Sequence, residues 1–183
     1  MITNINNYII EEDFPYDNIL QNYKERMINH YLKNNLIQNN IYDLHLPQGN
    51  PVDNLIPSIN RLISNTFHTE TPIRSWNLNL YVQNNSISTS LYHNHIGRNG
   101  YICAVFYTNL PKEGGEITFL VQPSLTSKNE EITIKPQINK IYFFPFWLYH
   151  SPRPQKDQDY RLCFNYVHNC RVRPVVKETL VQW

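Results

Sequence analysis

The chain has 183 residues, 41% of them hydrophobic, and its 16 basic and 15 acidic side chains leave a formal net charge of +1. That length supports one domain with an ordinary core. The interspersed charges leave no broad basic face, so neither nucleic acid nor a membrane surface is an expected partner. No apolar run reaches the about 18 residues of a spanning helix, and the start M-I-T-N-I-N-N-Y-I-I-E-E-D is polar and soon acidic. A membrane segment and a leader are therefore not expected, and the expected location is the cytoplasm. Cys103, Cys163 and Cys170 lack metal-type spacing and read as buried free thiols.

In chain order, Tyr8-Ile9-Ile10 is strand-like. Residues 17–34 show helical spacing through Ile19, Leu20, Tyr23, Met27 and Tyr31. A second helix, capped by Asp53 or Asn54, carries Leu55, Ile56, Ile59, Leu62, Ile63 and Phe67 as one stripe, with Pro57 tolerated in its first turn. From Ile73 the apolar period shifts from 3.6 to 2. Trp76 to Val82 alternates strictly, and Ser86 to His95 puts Ile87, Thr89, Leu91, His93 and His95 on one face. Tyr101 to Thr108 is apolar on both faces, which predicts a central strand. Gly114-Gly115 marks a turn before the strand Glu116 to Val121, and Glu131 to Ile134 follows a polar loop. The run Ile141 to His150, I-Y-F-F-P-F-W-L-Y-H, reads as one aromatic strand with His150 on the face of Phe146 and Leu148. Tyr160 to His168 is the last strand. The expected fold is mainly β with some α: a sandwich or jelly roll with the N-terminal helices packed outside. The expected division of this single domain is a helical supporting layer over 1–72, a jelly-roll catalytic core over 73–168 and a C-terminal tail over 169–183.

Two features carry chemistry. On one strand face His93 and His95 stand roughly 6 to 7 Å apart at the backbone, within reach of a single metal ion, and His150 is the best third ligand. Imidazoles on one strand plus another on a distant strand suit Fe(II) and leave coordination positions open, which points to catalysis rather than a structural ion. The second feature is Arg161. It shares a strand face with Cys163, Asn165 and Val167, turned toward the interior, and no acid in the sequence is its obvious mate. A guanidinium so placed calls for a carboxylate ligand.

The order of a strand ending in H-x-H, then Tyr101 to Thr108, G-G-E, the P-x-x-x-K turn at Pro136 to Lys140, F-P-x-x-x-x-H, and Arg161 followed by Phe164-Asn165 resembles the Fe(II)- and 2-oxoglutarate-dependent oxygenases. Similarity is greatest to small members of phage and marine bacterial type, and more distant to prolyl hydroxylases. It spans about Trp76 to Val167. The resemblance implies a double-stranded β-helix, or cupin-like jelly roll. It also implies His93 and His150 as iron ligands, with Arg161 and Tyr107 holding the distal carboxylate of 2-oxoglutarate. The implied reaction uses O2 to oxidise an unactivated C–H bond of a small molecule, amino acid or peptide side chain, releasing succinate and CO2.

One position departs from the family pattern, which has a carboxylate where this chain has His95. Three ligand sets follow: His95 completes a three-His site, it stays outside and leaves a vacancy, or Glu116 substitutes. A vacancy is the arrangement of related halogenases, so halogenation stands beside hydroxylation. Two further alternatives are a three-His cupin-type dioxygenase that does not use 2-oxoglutarate, for which Arg161 is not required, and a non-catalytic metal-binding jelly roll.

Overall fold

A computed structural model of the chain describes residues 3–6, 8–14, 42–45, 55–67, 76–84, 92–96, 102–122, 128–153 and 160–168. Ten strands and one helix are present among them. They are β1 (Thr3–Asn6), β2 (Ile9–Asp13), β3 (Tyr42–His45), α1 (Ile56–Phe67), β4 (Trp76–Asn84), β5 (Ile102–Asn109), β6 (Ile117–Val121), β7 (Glu130–Ile134), β8 (Lys140–Pro145), β9 (Tyr149–Pro152) and β10 (Tyr160–His168). No described helix is long and apolar enough to cross a membrane.

The strands form two antiparallel sheets, a large one in the order β1-β2-β8-β5-β10-β4-β3 and a small one in the order β7-β6-β9. Strand β5 lies within the large sheet, and its side chains from Ile102 to Thr108 are all buried. A strand apolar on both faces needs cover on both, and both are supplied. Toward the small sheet, Cys103, Val105 and Tyr107 join Tyr142 and Phe144 of β8, and they pack against Ile117, Phe119 and Val121 of β6 and Ile134 of β7. The alternate residues point the other way, where Phe14 stacks edge-on against Phe106 at 5.1 Å. Helix α1 buries Ile59, Ile63 and Thr66, one stripe at helical spacing, while Pro57, Arg61 and Asn65 stay exposed. Thr66 donates a hydrogen bond to the buried Glu12 carboxylate and so satisfies an acid inside this layer.

Two sequence expectations change. The N-terminal part adds strands to the large sheet as well as a helix: β2 pairs with β8 through Ile10 opposite Phe143 and Glu12 opposite Ile141. Lys140 ties that edge down by ion pairs to Asp13 at 2.7 Å and Glu11 at 3.3 Å. Its hydrogen bond holds the Asp13 carboxyl down at about 2. The expected helix over 17–34 lies outside the described residues, as do the expected caps Asp53 and Asn54. The second change concerns the aromatic run 141–150, which is not one strand. It breaks after Pro145 into a turn, closed by Leu148 N donating to the Pro145 carbonyl at 3.1 Å. Proline offers no N–H to continue a ladder, and the turn carries the chain from the large sheet to the small one. His150 therefore starts on a new strand, and its alignment with Phe146 and Leu148 does not hold.

Candidate metal centre

The break at Pro145 is what brings His150 to the site. Beyond it, β9 pairs with β6, with His150 opposite Phe119. The other edge of β9 takes up residues 92–96. His93 N donates to the His150 carbonyl at 3.0 Å and His150 N returns the bond to the His93 carbonyl at 2.9 Å. This reciprocal pair extends the small sheet by one short segment. A further bond, His95 N to the Phe146 carbonyl at 2.8 Å, fixes the next residues against the turn. Residues 86–91, expected as the earlier part of the same strand, lie outside the described residues.

His93, His95 and His150 converge. One ring nitrogen from each lies within 4.8 Å of the other two, and this is the one such His/Cys/Asp/Glu group among the described residues. The ring centroids stand 4.4 Å apart for His93 and His150, 5.1 Å for His95 and His150, and 5.5 Å for His93 and His95. Three nitrogens on one ion at about 2.1 Å each stand roughly 3 Å apart, so small ring rotations close the set. His95 and His150 are buried at 8% and 6% exposure, whereas His93 is exposed. The site thus has two shielded imidazoles and one facing outward.

The electrostatics favour a neutral His150 ring. His150 lies against Phe144, with centroids 4.7 Å apart, and near Phe119 at 6.1 Å. Burial in this apolar wall, with His93 adding to it, pushes the His150 pKa down to about 3. Its Nδ1 lies 2.9 Å from the Leu148 carbonyl oxygen. A carbonyl only accepts, so Nδ1 carries the proton and Nε2 keeps its lone pair for a metal. The Leu148 carbonyl thereby sets the tautomer and aims the ring. A neutral His150 repels no cation, and three imidazole nitrogens so gathered fit a divalent first-row ion such as Fe(II).

The other sequence-predicted residues take separate places. Tyr107 is buried on the inner face of β5, 6.4 Å from Tyr142 between ring centroids. Arg161 has its backbone near the start of β10, opposite Gln83 of β4 and two residues before Cys163, whose partner on β5 is Tyr107. Its side chain lies outside what is described. Glu116 sits half-buried just before β6, its carbonyl accepting from Arg153 N at 2.7 Å, and it is not part of the histidine group.

Sequence reasoning missed a polar network on the outer face of the small sheet. Arg153 donates through Nε to Thr118 Oγ1 at 2.8 Å and through Nη2 to Tyr92 Oη at 3.0 Å and to the Glu131 carboxylate at 2.9 Å. Tyr92 in turn donates to Glu131 at 2.6 Å. Burial and the bond to Glu131 push the Tyr92 phenol up to about 12, so it remains a donor. The only available signal was position: Tyr92 neighbours His93 and so faces the opposite side of its strand.

No family model matches the chain, and no curated protein does. Solved structures do match. A prolyl-4-hydroxylase from Pseudomonas putida superposes with a TM-score of 0.64 at 12% identity, over 87% of this chain and 91% of that one. A prolyl hydroxylase from Trichoplax adhaerens, in complex with a peptide fragment of the hypoxia-inducible factor oxygen degradation domain, gives 0.64 at 14% identity over 88% and 83%. The epimerase SnoN, in complex with Fe3+, alpha-ketoglutarate and nogalamycin RO, gives 0.61 at 12% identity over 87% and 78%. At these identities the likeness is one of architecture, and it bears out the sequence resemblance at that level: the chain has a fold like that of the 2-oxoglutarate- and Fe(II)-dependent oxygenases.

Proposed function

We propose that this chain is an Fe(II)- and 2-oxoglutarate-dependent oxygenase that hydroxylates an unactivated C–H bond of a small molecule, amino acid or peptide side chain. The observation that carries the reading is the convergence of His93, His95 and His150 within an oxygenase-like fold. The two facing sheets are proposed to be a double-stranded β-helix. The strand order, and the chain's repeated passage between large and small sheet from β4 onward, broken only by the β6–β7 hairpin within the small sheet, support this.

In this reading His93, His95 and His150 hold the metal through ring nitrogens. Leu148 keeps His150 in the tautomer that presents Nε2, while Phe119 and Phe144 exclude water behind it. Arg161, with Tyr107 on the paired strand, grips the distal carboxylate of the cosubstrate by charge-assisted hydrogen bonds. When bound, iron and 2-oxoglutarate supply the oxidising chemistry, coupling O2 reduction and cosubstrate decarboxylation to oxidation of the substrate. The exposed side of the site, beside His93, is where substrate would approach. Neighbours in fold bind a peptide in one case and a small molecule in another, and both substrate classes suit this chain.

A second reading, a three-His dioxygenase that does not use 2-oxoglutarate, is favoured by the third imidazole at the position where the oxygenases carry a carboxylate. An anaerobic titration with Fe(II) and then 2-oxoglutarate separates the two. The oxygenase gives a visible metal-to-ligand charge-transfer band, abolished in Arg161→Ala. Iron binding without that band gives first place to the second reading. Failure to bind iron overturns both. Loss of the band in His95→Ala would make His95 a ligand, and its persistence would leave a two-His site with an open position suited to a halide.

A further inference from the structure

The two histidine-bearing segments, residues 92–96 and β9, belong to distant parts of the sequence, and among the described residues only the reciprocal His93–His150 pair links them as a ladder. One such pair is a weak joint. The same two segments are, however, joined a second time on the opposite face. Tyr92 precedes His93 and Arg153 lies three residues after His150. Both turn away from the histidines, and they meet each other and Glu131 of β7. The Arg153 guanidinium also lies 5.6 Å from the Tyr92 ring centroid. Its foot is anchored in the sheet: Thr118, wholly buried, accepts from Arg153 Nε and shares a 3.0 Å hydrogen bond with Thr133. The guanidinium fork thus spans β9, β6, β7 and the His93 segment.

We propose that Arg153, Tyr92 and Glu131 form a clamp that holds the His93 segment in register on β9 and so preorganises the metal site, making all three positioning residues. The proposal rests on the histidine site being a metal centre, but the clamp is a property of the metal-free protein as well. A planar, always charged fork is needed to reach a hydroxyl, a phenol and a carboxylate together, which lysine does not do. Because much of Glu131 and Arg153 is open to solvent, at 52% and 38% side-chain exposure, the clamp adds little to global stability. Its effect is local: it lowers the population of states in which His93 has lifted from β9. Groups behind metal ligands typically change affinity by about 10–100-fold, and for this half-exposed clamp the low end is expected.

The test uses the full chain and two readouts. In the metal-free protein, amide hydrogen exchange at His93 and His150 should quicken about 5–10-fold in Tyr92→Phe and Arg153→Gln, while Val105 and Phe106 of β5 keep their wild-type rates. Arg153→Lys should recover only part of the protection. The double variant should cost little more than the worse single one, since both break one network. Co(II) titration of the same proteins, followed by its visible absorption, should show affinity reduced about tenfold in step with the exchange. Unchanged exchange at His93 overturns the clamp, and so does equal acceleration in β5, which would mark general destabilisation. If the wild-type protein binds no Co(II), the metal reading falls while the exchange result still decides the clamp.

Discussion

The β5 strand of the large sheet and the small sheet facing it use burial differently. From Ile102 to Thr108 every side chain of β5 is inside, with neighbouring strands on either side, the small sheet over one face and Phe14 against Phe106 on the other. The small sheet keeps one wet face: Tyr149, Glu131 and Thr133 are exposed while Phe119, Ile134 and His150 are inside. Strands β5 and β8 of the large sheet therefore serve as an apolar wall. The small sheet can hold ligands on one face and charged groups that tie its segments together on the other. The histidine group sits where the small sheet has both a dry side, which depresses protonation of His150, and a wet side that accommodates an arginine network.

If this division holds, substitutions on the two sheets separate function from stability. The largest effect on function is expected from His150→Ala, which should abolish Fe(II) and Co(II) binding in calorimetric titration, a loss beyond the roughly 10–100-fold of an outer partner. Phe106→Ala, on the far side of β5, should cost about 3–5 kcal/mol by denaturant unfolding. Metal affinity of the folded protein should stay unchanged, and a weakened metal site would show that the wall is not a separate part.

The pH dependence follows from His150. Its folded pKa of about 3 lies below the ordinary 6.5, so the unfolded chain takes up the proton first. Its contribution to metal-free stability is complete above pH 6.5 and is lost as the pH falls from there toward 3. Thermal melts of the metal-free protein across that range should show this loss, and His150→Ala should flatten it. The smallest effect is expected from Asp13→Asn at the edge of the large sheet. Its exposed pair with Lys140 should yield only a slight shift of the denaturation midpoint, vanishing at high salt.

Much of this was legible before the structure. The switch of apolar period near Ile73, the two-sided apolarity of β5 and the stripe of α1 are local patterns, and local patterns survive folding when each face has an unambiguous environment. The proximity of His93 and His95 was legible from their i, i+2 spacing in extended chain. The aromatic run 141–150 was misread because periodicity does not distinguish one long strand from two strands in different sheets. Only Pro145 hinted at the break. The N-terminal strands were partly hidden in mixed, Asn-rich sequence, where pairing with β8 and β4 rather than propensity selects the extended form.

By itself, then, the sequence determined the residue types able to bind a metal, their parity on each strand and the mainly β character of the chain, because these depend on neighbours a few positions away. The tertiary structure alone decided that His150 meets His93 and His95, that Leu148 sets its tautomer, and that Arg153 reaches Tyr92 and Glu131. Those depend on which distant strands lie side by side. That choice is made by burial of the whole inner surface between two sheets, and no single stretch encodes it.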